Sequence, residues 1–283
     1  MNWMKHLYLY FVISALVIIP GVFSLFKNGL KLSVEFTGGS HLSIQNATLS
    51  AETVIKAFND YAPTLETSQP GNLVLKTKTL SQNQIDQIIT SLKAQDAKLS
   101  LAEFETIGPA LGQETLKKTI NALLLASVVL LAYISYAFKQ IKYGLCAVLA
   151  MFHDTAVLMG SFSLLGYFYG IQVDLLFVTA VLTILSFSVH DTIVVYDRIR
   201  ELSHQHKNQN YVDLVNQAVT ETMGRSLNNS LTIIFMLLAM YLIGGETTKY
   251  FALALLIGTV TGTYSSTFTA APLLVLWEKF RKH

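Results

Sequence analysis

Long apolar segments alternate with polar ones along the chain, and six of the apolar segments are long enough to cross a bilayer. A transmembrane helix needs about 17–25 predominantly apolar residues. The six segments lie at residues 7–26, 119–138, 143–166, 173–195, 227–244 and 250–277. This pattern predicts an α-helical polytopic membrane protein with six transmembrane helices, the first of which occupies residues 1–26.

Residues 27–118 separate the first two apolar segments and are mostly polar, with no long apolar run. Short alternating stretches predict strands, and capped amphipathic stretches predict helices that open at Ser50 and Ser81. The predicted strands lie at residues 33–39, 41–45, 72–80 and 98–107. The order β-β-α-β-α-β predicts a small α+β, ferredoxin-like domain inserted between the first two transmembrane helices.

The remainder of the chain, residues 119–283, is predicted to form a five-helix transmembrane bundle with a cytoplasmic loop at about 197–225. Within that loop, residues 210–222 carry valines at helical spacing. Two interpretations fit this spacing: a helix on the membrane surface, or a helical loop that packs on the ends of the bundle.

Composition supports a membrane protein and argues against several other classes. The chain is 52% hydrophobic and only 13% charged, whereas a soluble domain has about 25% charged residues. The net charge is +2 with scattered basic residues, so nucleic acid is not an expected partner. A single cysteine, Cys146, excludes an intramolecular disulfide. No metal-ligand spacing, P-loop or nucleophile–base pattern occurs, so we expect no metal, no cofactor and no enzyme activity.

The distribution of Lys and Arg predicts the orientation, because cytoplasmic loops of membrane proteins are enriched in these residues. With a cytoplasmic N-terminus, the inside positions hold Lys5, Lys139, Lys142, Arg198, Arg200, Lys207, Arg225, Lys279, Arg281 and Lys282. The two short outside loops then hold only Lys249. We therefore predict that both termini are cytoplasmic and that residues 27–118 form an external domain.

Two acidic residues lie inside the predicted spans. Asp154 is near the middle of the third span, and Asp191 is about one turn inside the cytoplasmic end of the fourth. A charged Asp at the bilayer centre costs about 2.5–3.5 kcal/mol, so each should face protein or water and have a partner. Arg225 begins the next, antiparallel span and is the predicted partner of Asp191, with Asn228 following in the same helix.

A carboxylate beside an arginine in a partly wet site can change its charge, as a proton carrier must. The alternative is that these polar residues only hold helices together. His190 directly precedes Asp191, but neighbouring helical positions point about 100° apart, so the two cannot share one face. Gly258 and Gly262 form a GxxxG pattern, which predicts close helix packing.

Several motifs together carry a resemblance to a known family. They are VEFTGGS (34–40), IGPALGQE (107–114), HDT (153–155), HDTIVVYDRIRE (190–201), RSLNNSLT (225–232) and GGETTKYFALALLIGTVTGTYSSTF (244–268). In this order, over nearly the whole length, the chain resembles the SecF branch of the SecD/SecF family. Members of this family are membrane subunits of the bacterial Sec protein-export machinery, and they resemble resistance-nodulation-division transporters.

The resemblance implies a multi-pass protein of the bacterial cytoplasmic (inner) membrane that associates with a SecD-like membrane subunit and the SecYEG translocon. It implies that the pair uses the proton-motive force to help draw an exported unfolded polypeptide across the lipid bilayer. Asp191 matches the intramembrane Asp of the family's proposed proton pathway, and Arg225 matches its Arg. Asp154, His190 and Asn228 are further candidates.

The chain departs from the family where the usual GYSIND reads SFSVHD at residues 186–191. His190 therefore replaces an Asn, and an unperturbed His titrates near neutral pH. This departure leaves open whether the coupling ion is a proton.

Two other functions remain open from the sequence. One is half of a proton-driven small-molecule efflux transporter, and the other is a structural scaffold of the translocon in which Asp191 does not titrate. Co-purification with the translocon separates the efflux transporter from the other two. Proton dependence separates the scaffold from an energy-coupled subunit.

Thiol labelling tests the predicted orientation. In a Cys146→Ser background, Asn83→Cys should react with an impermeant thiol reagent added outside intact spheroplasts, because it lies in the predicted external domain. Asn208→Cys should stay unlabelled, because it lies in the predicted cytoplasmic loop. Labelling at position 208 alone would reverse the orientation.

Overall fold

The structure, a computed structural model, describes residues 2–69, 71–206 and 209–281. It contains six helices long and apolar enough to cross a membrane, which confirms the six predicted spans. These helices run over Trp3–Asn28, Pro109–Phe138, Ile141–Tyr169, Leu175–Gln205, Tyr211–Ile243 and Thr248–Phe280. Lys207, Asn208 and Lys282, which enter the orientation prediction and its test, lie outside the described residues.

The elements are numbered here in chain order. The helices are α1 (Leu7–Asn28), α2 (Val34–Thr37), α3 (Ala51–Ala57), α4 (Gln82–Gln95), α5 (Pro109–Phe138), α6 (Ile141–Tyr169), α7 (Leu175–Gln205), α8 (Tyr211–Ile243), α9 (Glu246–Ser265) and α10 (Ala271–Arg281). The strands are β1 (Gly39–Ala47), β2 (Thr64–Gln69), β3 (Gly71–Thr77) and β4 (Ser100–Ile107). A 3-10 turn, Trp3–His6, precedes α1, and a π-helical turn, Ser266–Ala270, joins α9 to α10.

The segment predicted as a cytoplasmic loop, about 197–225, is mostly helical. Helix α7 continues to Gln205, and α8 already begins at Tyr211. Asn210 starts α8 as its cap, because its side-chain oxygen accepts the Val212 amide at 3.1 Å. Residues 211–222 are the first part of the same continuous helix as the fifth span, and Val215 and Val219 are buried there.

The chain divides into two compact units. A helical unit comprises residues 1–30, 122–167 and 176–283, and an α/β unit comprises residues 31–121 and 168–175. The α/β unit has one sheet of four antiparallel strands in the order β2-β3-β1-β4. With α3 between β1 and β2 and α4 between β3 and β4, the order is β-α-β-β-α-β.

The strand order differs from the prediction at two places. Residues 33–39 are not a strand, because Ser33 accepts the Glu35 amide and starts the short helix α2. That helix ends at Gly38 and Gly39, which adopt φ of 71° and 119°, a region that favours glycine. Strand β2 was missed because its sequence, TLETSQ, is short and mostly polar.

The core of the α/β unit lies between the sheet and helices α3 and α4. On the central strand β1, Leu42 pairs with Leu75 on one side and Phe104 on the other. The buried cluster consists of Leu42, Ile44, Val54, Phe58, Leu73, Leu75, Leu80, Ile85, Ile89, Leu92 and Leu99. All of these residues lie between positions 42 and 99, so this core needs no part of the helical unit.

Two glycine-containing motifs of the α/β unit pack directly on each other. A Cβ added to Gly38 would lie 2.5 Å from the Pro109 Cα, and one added to Gly112 would lie 2.7 Å from the Gly38 nitrogen. Nearby, a Glu35 carboxylate oxygen accepts the Leu175 amide at the first residue of α7, at 2.5 Å. Burial raises the pKa of Glu35. The motif at 34–40 therefore joins the first strand to the starts of two long helices.

The enclosed core predicts that a fragment of residues 30–112 unfolds cooperatively by itself. Leu42 is 0% exposed, so Leu42→Ala should lower the free energy of unfolding by about 2–5 kcal/mol. Leu65 is 36% exposed on the edge strand β2, so Leu65→Ala should have a much smaller effect. Urea titration followed by circular dichroism measures both. Equal effects of the two substitutions, or a fragment without a cooperative transition, would contradict this prediction.

Candidate functional site

Asp154 lies on α6 at the centre of a buried hydrogen-bond network. Its side chain is 1% exposed, and both carboxylate oxygens have partners. Oδ2 accepts two hydroxyl hydrogen bonds, from Ser188 of α7 at 2.5 Å and from Ser265 of α9 at 2.6 Å. Oδ1 lies 2.9 Å from His153 Nδ1. Among the described residues, His153 is the only potential cation within ion-pair distance of Asp154.

His153 extends this network to the first helix. Its Nε2 lies 2.9 Å from the Ser14 hydroxyl of α1. The ring also stacks on Tyr264 of α9, with centroids 6.2 Å apart. The Tyr264 hydroxyl donates to the Tyr10 carbonyl of α1 at 2.9 Å. Helices α1, α6, α7 and α9 therefore meet around Asp154, as a polar group in an apolar bundle requires.

Asp191 lies on α7 in a small cleft between α7, α8 and α9. Its Oδ2 accepts a hydrogen bond from the Ser226 hydroxyl of α8 at 2.8 Å. The cleft is lined by Phe187, Asp191, Asn229, Ser230, Ile233, Gly258, Thr259, Gly262 and Thr263. It has room for about one water molecule. The side chain of Asp191 is half-buried, so this carboxyl is partly accessible whereas Asp154 is enclosed.

The other residues predicted around Asp191 occupy different positions. Arg225 is exposed on α8, and within the described part of the chain it forms no ion pair with Asp191. Its neighbour Ser226 takes that place, because successive helical positions differ by about 100°. Asn228 is exposed and does not line the cleft, whereas Asn229 does. His190 is exposed on α7.

Gly262 brings the two acidic sites close together. A Cβ added there would lie 3.8 Å from Asp154 Oδ2 and 3.5 Å from the Ser188 Cα, and Gly262 also lines the Asp191 cleft. Ser188 and Asp191 are three residues apart on α7 and therefore share a face. Because Gly262 has no side chain, α9 can approach α7 closely at this point, which lies near both carboxyl groups.

The predicted GxxxG packing is present within the chain. A Cβ at Gly258 would fall 2.1 Å from the Ile184 Cδ1 of α7, so the two helices touch there. Four residues later, Gly262 makes the corresponding approach to Ser188. The small residues of α9 therefore serve contact with α7 in this chain.

Helix α1 contacts α6 through a narrow seam of small residues. Ser14 meets His153 and Ser24 meets Ser163, with the two serine hydroxyls 2.9 Å apart, and each α6 partner is 139 residues further along the chain. Between them, Gly21 and Gly160 pack so closely that a Cβ on either would lie under 3.0 Å from the other's backbone. The constant offset means that α1 and α6 run parallel and in register.

A π-helical turn follows Ser265 directly. It spans Ser266–Ala270, and the buried Tyr196 hydroxyl of α7 donates to the Ala270 carbonyl at 3.0 Å. The hydroxyls of Thr192 and Thr269 are buried and, within the described part of the chain, have no hydrogen-bond partner. Such turns often occur at functional sites in helices. Here the turn directly follows Ser265, which donates a hydrogen bond to Asp154.

Sequence reasoning missed the serines as partners of the acidic residues. Ser14 lay in no motif, whereas Ser188 and Ser265 lay in the motifs at 186–191 and 244–268 without being assigned a role. No local signal identified Ser188 as a partner of Asp154, because that contact depends on how α6 and α7 pack. In the described residues, no group of three or more His, Cys, Asp or Glu side chains could hold a metal ion.

Comparisons with known proteins identify a family of similar membrane proteins. The family model described as "Protein export membrane protein SecD/SecF, C-terminal" matches residues 87–280, and the "SecD/SecF GG Motif" model matches residues 23–45. The chain is 40% identical to the protein translocase subunit SecF of Thermobaculum terrenum, over 96% of this chain and 92% of that protein. It is 37% identical to the SecF subunit of Anaerolinea thermophila, over 98% and 94% respectively.

A solved structure has the same fold. The crystal structure of SecDF, a translocon-associated membrane protein from Thermus thermophilus, superimposes with a TM-score of 0.85 at 29% identity. The match covers 99% of this chain but only 39% of the SecDF chain. This chain therefore corresponds to one part of the longer SecDF protein.

The close approach of α1 and α6 predicts a steric effect of a single methyl group. Gly160→Ala should lower the thermal stability of the detergent-solubilised protein, because overpacking costs about 1–3 kcal/mol. Gly224→Ala is the matched control, since a Cβ there meets nothing within 4 Å. It should be neutral or stabilising, as Ala favours helix by about 0.8–1.0 kcal/mol over Gly. Thermal stability is measured by size-exclusion chromatography after heating. Equal melting curves of the two variants would contradict the close packing of α1 on α6 at Gly160.

Proposed function

Because the chain belongs to the SecD/SecF family of protein export membrane proteins, we propose that it is a SecF-type accessory subunit of the Sec translocon that uses the proton-motive force to promote late steps of export. Family membership assigns it a role in protein translocation, and with the six apolar helices it makes the chain a multi-pass inner-membrane protein. The proposed role is transport and includes no covalent catalysis.

The proposed partners follow from the relatives. The protein translocase subunit SecDF of Thermus thermophilus is 31% identical to this chain, which corresponds to 36% of its length. A separate SecD-like membrane subunit would supply the remainder. Further partners in this proposal are the SecYEG translocon, the exported unfolded polypeptide and the surrounding lipid bilayer.

The proposed topology places both termini in the cytoplasm and the segment at about 27–118 outside, as an external domain of ferredoxin-like fold. The strand order β2-β3-β1-β4 and the succession β-α-β-β-α-β support that fold. The excess of Lys and Arg at the other ends of the helices supports the orientation. In this topology the proton-motive force acts on the six transmembrane helices. The external domain contacts the exported polypeptide outside the membrane.

One observation carries the proton-coupled part of the proposal. Asp191 lies half-buried in a small cleft, where its hydrogen-bond partner is the Ser226 hydroxyl and, among the described residues, no Lys or Arg forms an ion pair with it. A hydroxyl can donate to a carboxylate and can also accept from a carboxylic acid. The site therefore tolerates both protonation states of Asp191, as a group that takes up and releases protons requires.

Arg225 supplies the second state in this proposal. It directly precedes Ser226, so a rotation of α8 by about 100° would exchange Ser226 for Arg225 beside Asp191. Protonated Asp191 pairs with Ser226, and ionised Asp191 attracts Arg225. Asp154 extends the pathway inward. His190 and Asn228 lie on exposed faces, so they join the pathway only where a partner subunit covers them.

The membrane potential provides enough free energy for such a rearrangement. One elementary charge that crosses 100 mV yields about 2.3 kcal/mol, which shifts a two-state equilibrium by about fifty-fold. The potential can therefore bias two arrangements of α8 that lie within a few kcal/mol of each other in free energy.

Removing either group should uncouple export from the proton-motive force. Asp191→Asn and Arg225→Met should each abolish the proton-dependent stimulation of preprotein translocation into inverted vesicles. The double variant should be no worse than the single ones, because either change breaks the switch. Insertion in the membrane and co-purification with the SecD-like subunit should persist.

Asp197→Asn is the control for this experiment. Asp197 is also an α7 aspartate, but it is 60% exposed and pairs with Arg200 three residues away. Its replacement should have little effect, since exposed ion pairs contribute about 0–1 kcal/mol. Wild-type sensitivity of the Asp191→Asn variant to an uncoupler would mean that Asp191 only holds helices together, and the scaffold function would stand instead.

A further inference from the structure

His153 has a partner on each of its two ring nitrogens, and these partners belong to different helices. Nδ1 lies 2.9 Å from Asp154 Oδ1, and Nε2 lies 2.9 Å from the Ser14 hydroxyl of α1. The side chain is 9% exposed. The imidazole therefore bridges the buried carboxyl group and the first helix.

The protonation state of Asp154 fixes the tautomer of His153. Ionised Asp154 can only accept hydrogen bonds, so Nδ1 must carry the hydrogen that faces Oδ1. In neutral imidazole the other nitrogen is then bare, so Nε2 accepts from the Ser14 hydroxyl. In this state Ser14 is a donor towards α6.

A proton added to this group reverses that arrangement. Oδ2 of Asp154 already accepts from both Ser188 and Ser265, so Oδ1 is the free position for a proton. A proton that binds Nε2 forms an imidazolium, which passes its Nδ1 hydrogen to Oδ1. The products are a neutral Asp154, whose hydroxyl donates to bare Nδ1, and an Nε2–H that donates to Ser14. The hydroxyl of Ser14 thus changes from donor to acceptor.

Helix α1 has few other attachments in the bundle. Of its residues, only Leu7, Ser14, Gly21 and Ser24 are buried. Ser14 is therefore one of the few contacts that can hold or release this helix. The chain enters the α/β unit at Lys31, three residues after α1 ends, so α1 is one of the covalent connections of that unit.

We propose that His153 relays the protonation of Asp154 to α1, with the Ser14 hydroxyl as the receiving contact. His153 is a positioning residue in this relay, and Asp154 is a protonatable site distinct from Asp191. The inference rests on the proposed function, which it deepens by naming the helix that responds to a proton in the bundle.

The groups that face the Asp154–His153 pair permit this behaviour. From α9 the facing residues are Tyr264 and Ser265, from α7 Ser188, and from α1 Ser14 and Tyr10. The next ionisable groups along α7 are His190, which is exposed, and Asp191, about one turn beyond Ser188. In the described parts of the chain, no Lys or Arg forms an ion pair with Asp154 that would hold it ionised.

The first arm of the test measures the tautomer of His153. The full chain, labelled with ¹⁵N-histidine, is placed in lipid nanodiscs and observed by solid-state NMR from about pH 9 to about pH 5. The His153 signals, assigned by their loss in His153→Asn, should change from Nδ1–H to Nε2–H as the pH falls. Asp154→Asn should abolish the change. An unchanged tautomer in the wild type, or a change that persists in Asp154→Asn, would overturn the relay.

The second arm measures whether α1 responds, with Ser14→Ala and Ser24→Ala as a matched pair. Both serines are buried in the same seam and contact α6, but only Ser14 contacts His153. A ¹⁹F probe at Leu16→Cys, in a Cys146→Ser background, should shift with pH in the wild type and in Ser24→Ala. The shift should be lost in Ser14→Ala. If Ser14→Ala keeps the pH-dependent ¹⁹F shift of the wild type, or if the wild type shows no such shift, then α1 does not respond to the protonation of the Asp154–His153 pair.

Asp191→Asn separates this inference from the proposed function. Both pH responses should survive that change, because Asp191 does not contact the His153 pair. Loss of both responses in Asp191→Asn would overturn the inference. Intact responses together with unimpaired export in Asp191→Asn would remove the proposed role of Asp191 and leave the relay standing.

Discussion

The burial of a carboxylate among apolar helices is the constraint on which the helical unit depends. Asp154 is almost fully enclosed, and a bilayer offers no water to satisfy it. Its oxygens therefore take hydroxyl donors from α7 and α9 and a ring nitrogen from its own helix. Each donor fixes the rotation of the helix that carries it, so a single buried group aligns several spans that hydrophobicity alone would leave free to turn.

Small residues make this arrangement possible, because the donors have short side chains. A serine hydroxyl reaches its acceptor only if two helix backbones come close, and glycines permit that approach. Gly262 lies over Ser188 and Asp154, and Gly21 meets Gly160 on the neighbouring seam. The polar contacts and the glycine contacts therefore depend on each other. A larger residue at a glycine position would separate the helices and leave the carboxylate without its donors.

The sequence predicted the six spans and the α+β character of residues 27–118, because hydropathy and strand alternation depend on local pattern. It identified Asp154 and Asp191, since a charge inside an apolar run is conspicuous. It did not predict that Ser226, rather than Arg225, contacts Asp191. Neighbouring helical residues point about 100° apart, so their choice depends on the rotation of a helix, which is set by packing. Strand β2 was missed because its short, mostly polar sequence depends on sheet pairing, and the prediction of a strand in place of helix α2 was wrong because the Ser33 cap outweighed the alternation.

The two acidic residues differ in a way that suits different tasks. Asp191 lies half-buried in a cleft beside Ser226, and Arg225 next to Ser226 is exposed, which is the access that the proposed switch requires. Asp154 is enclosed, and in the described part of the chain His153 is the one ionisable side chain bonded to it, so the network itself must absorb a change in its charge. A group that exchanges protons needs access, whereas a group that alters helix contacts needs tight coupling. Gly262 borders both sites, so a movement of α9 that changes the contacts of Asp191 would also change those of Asp154.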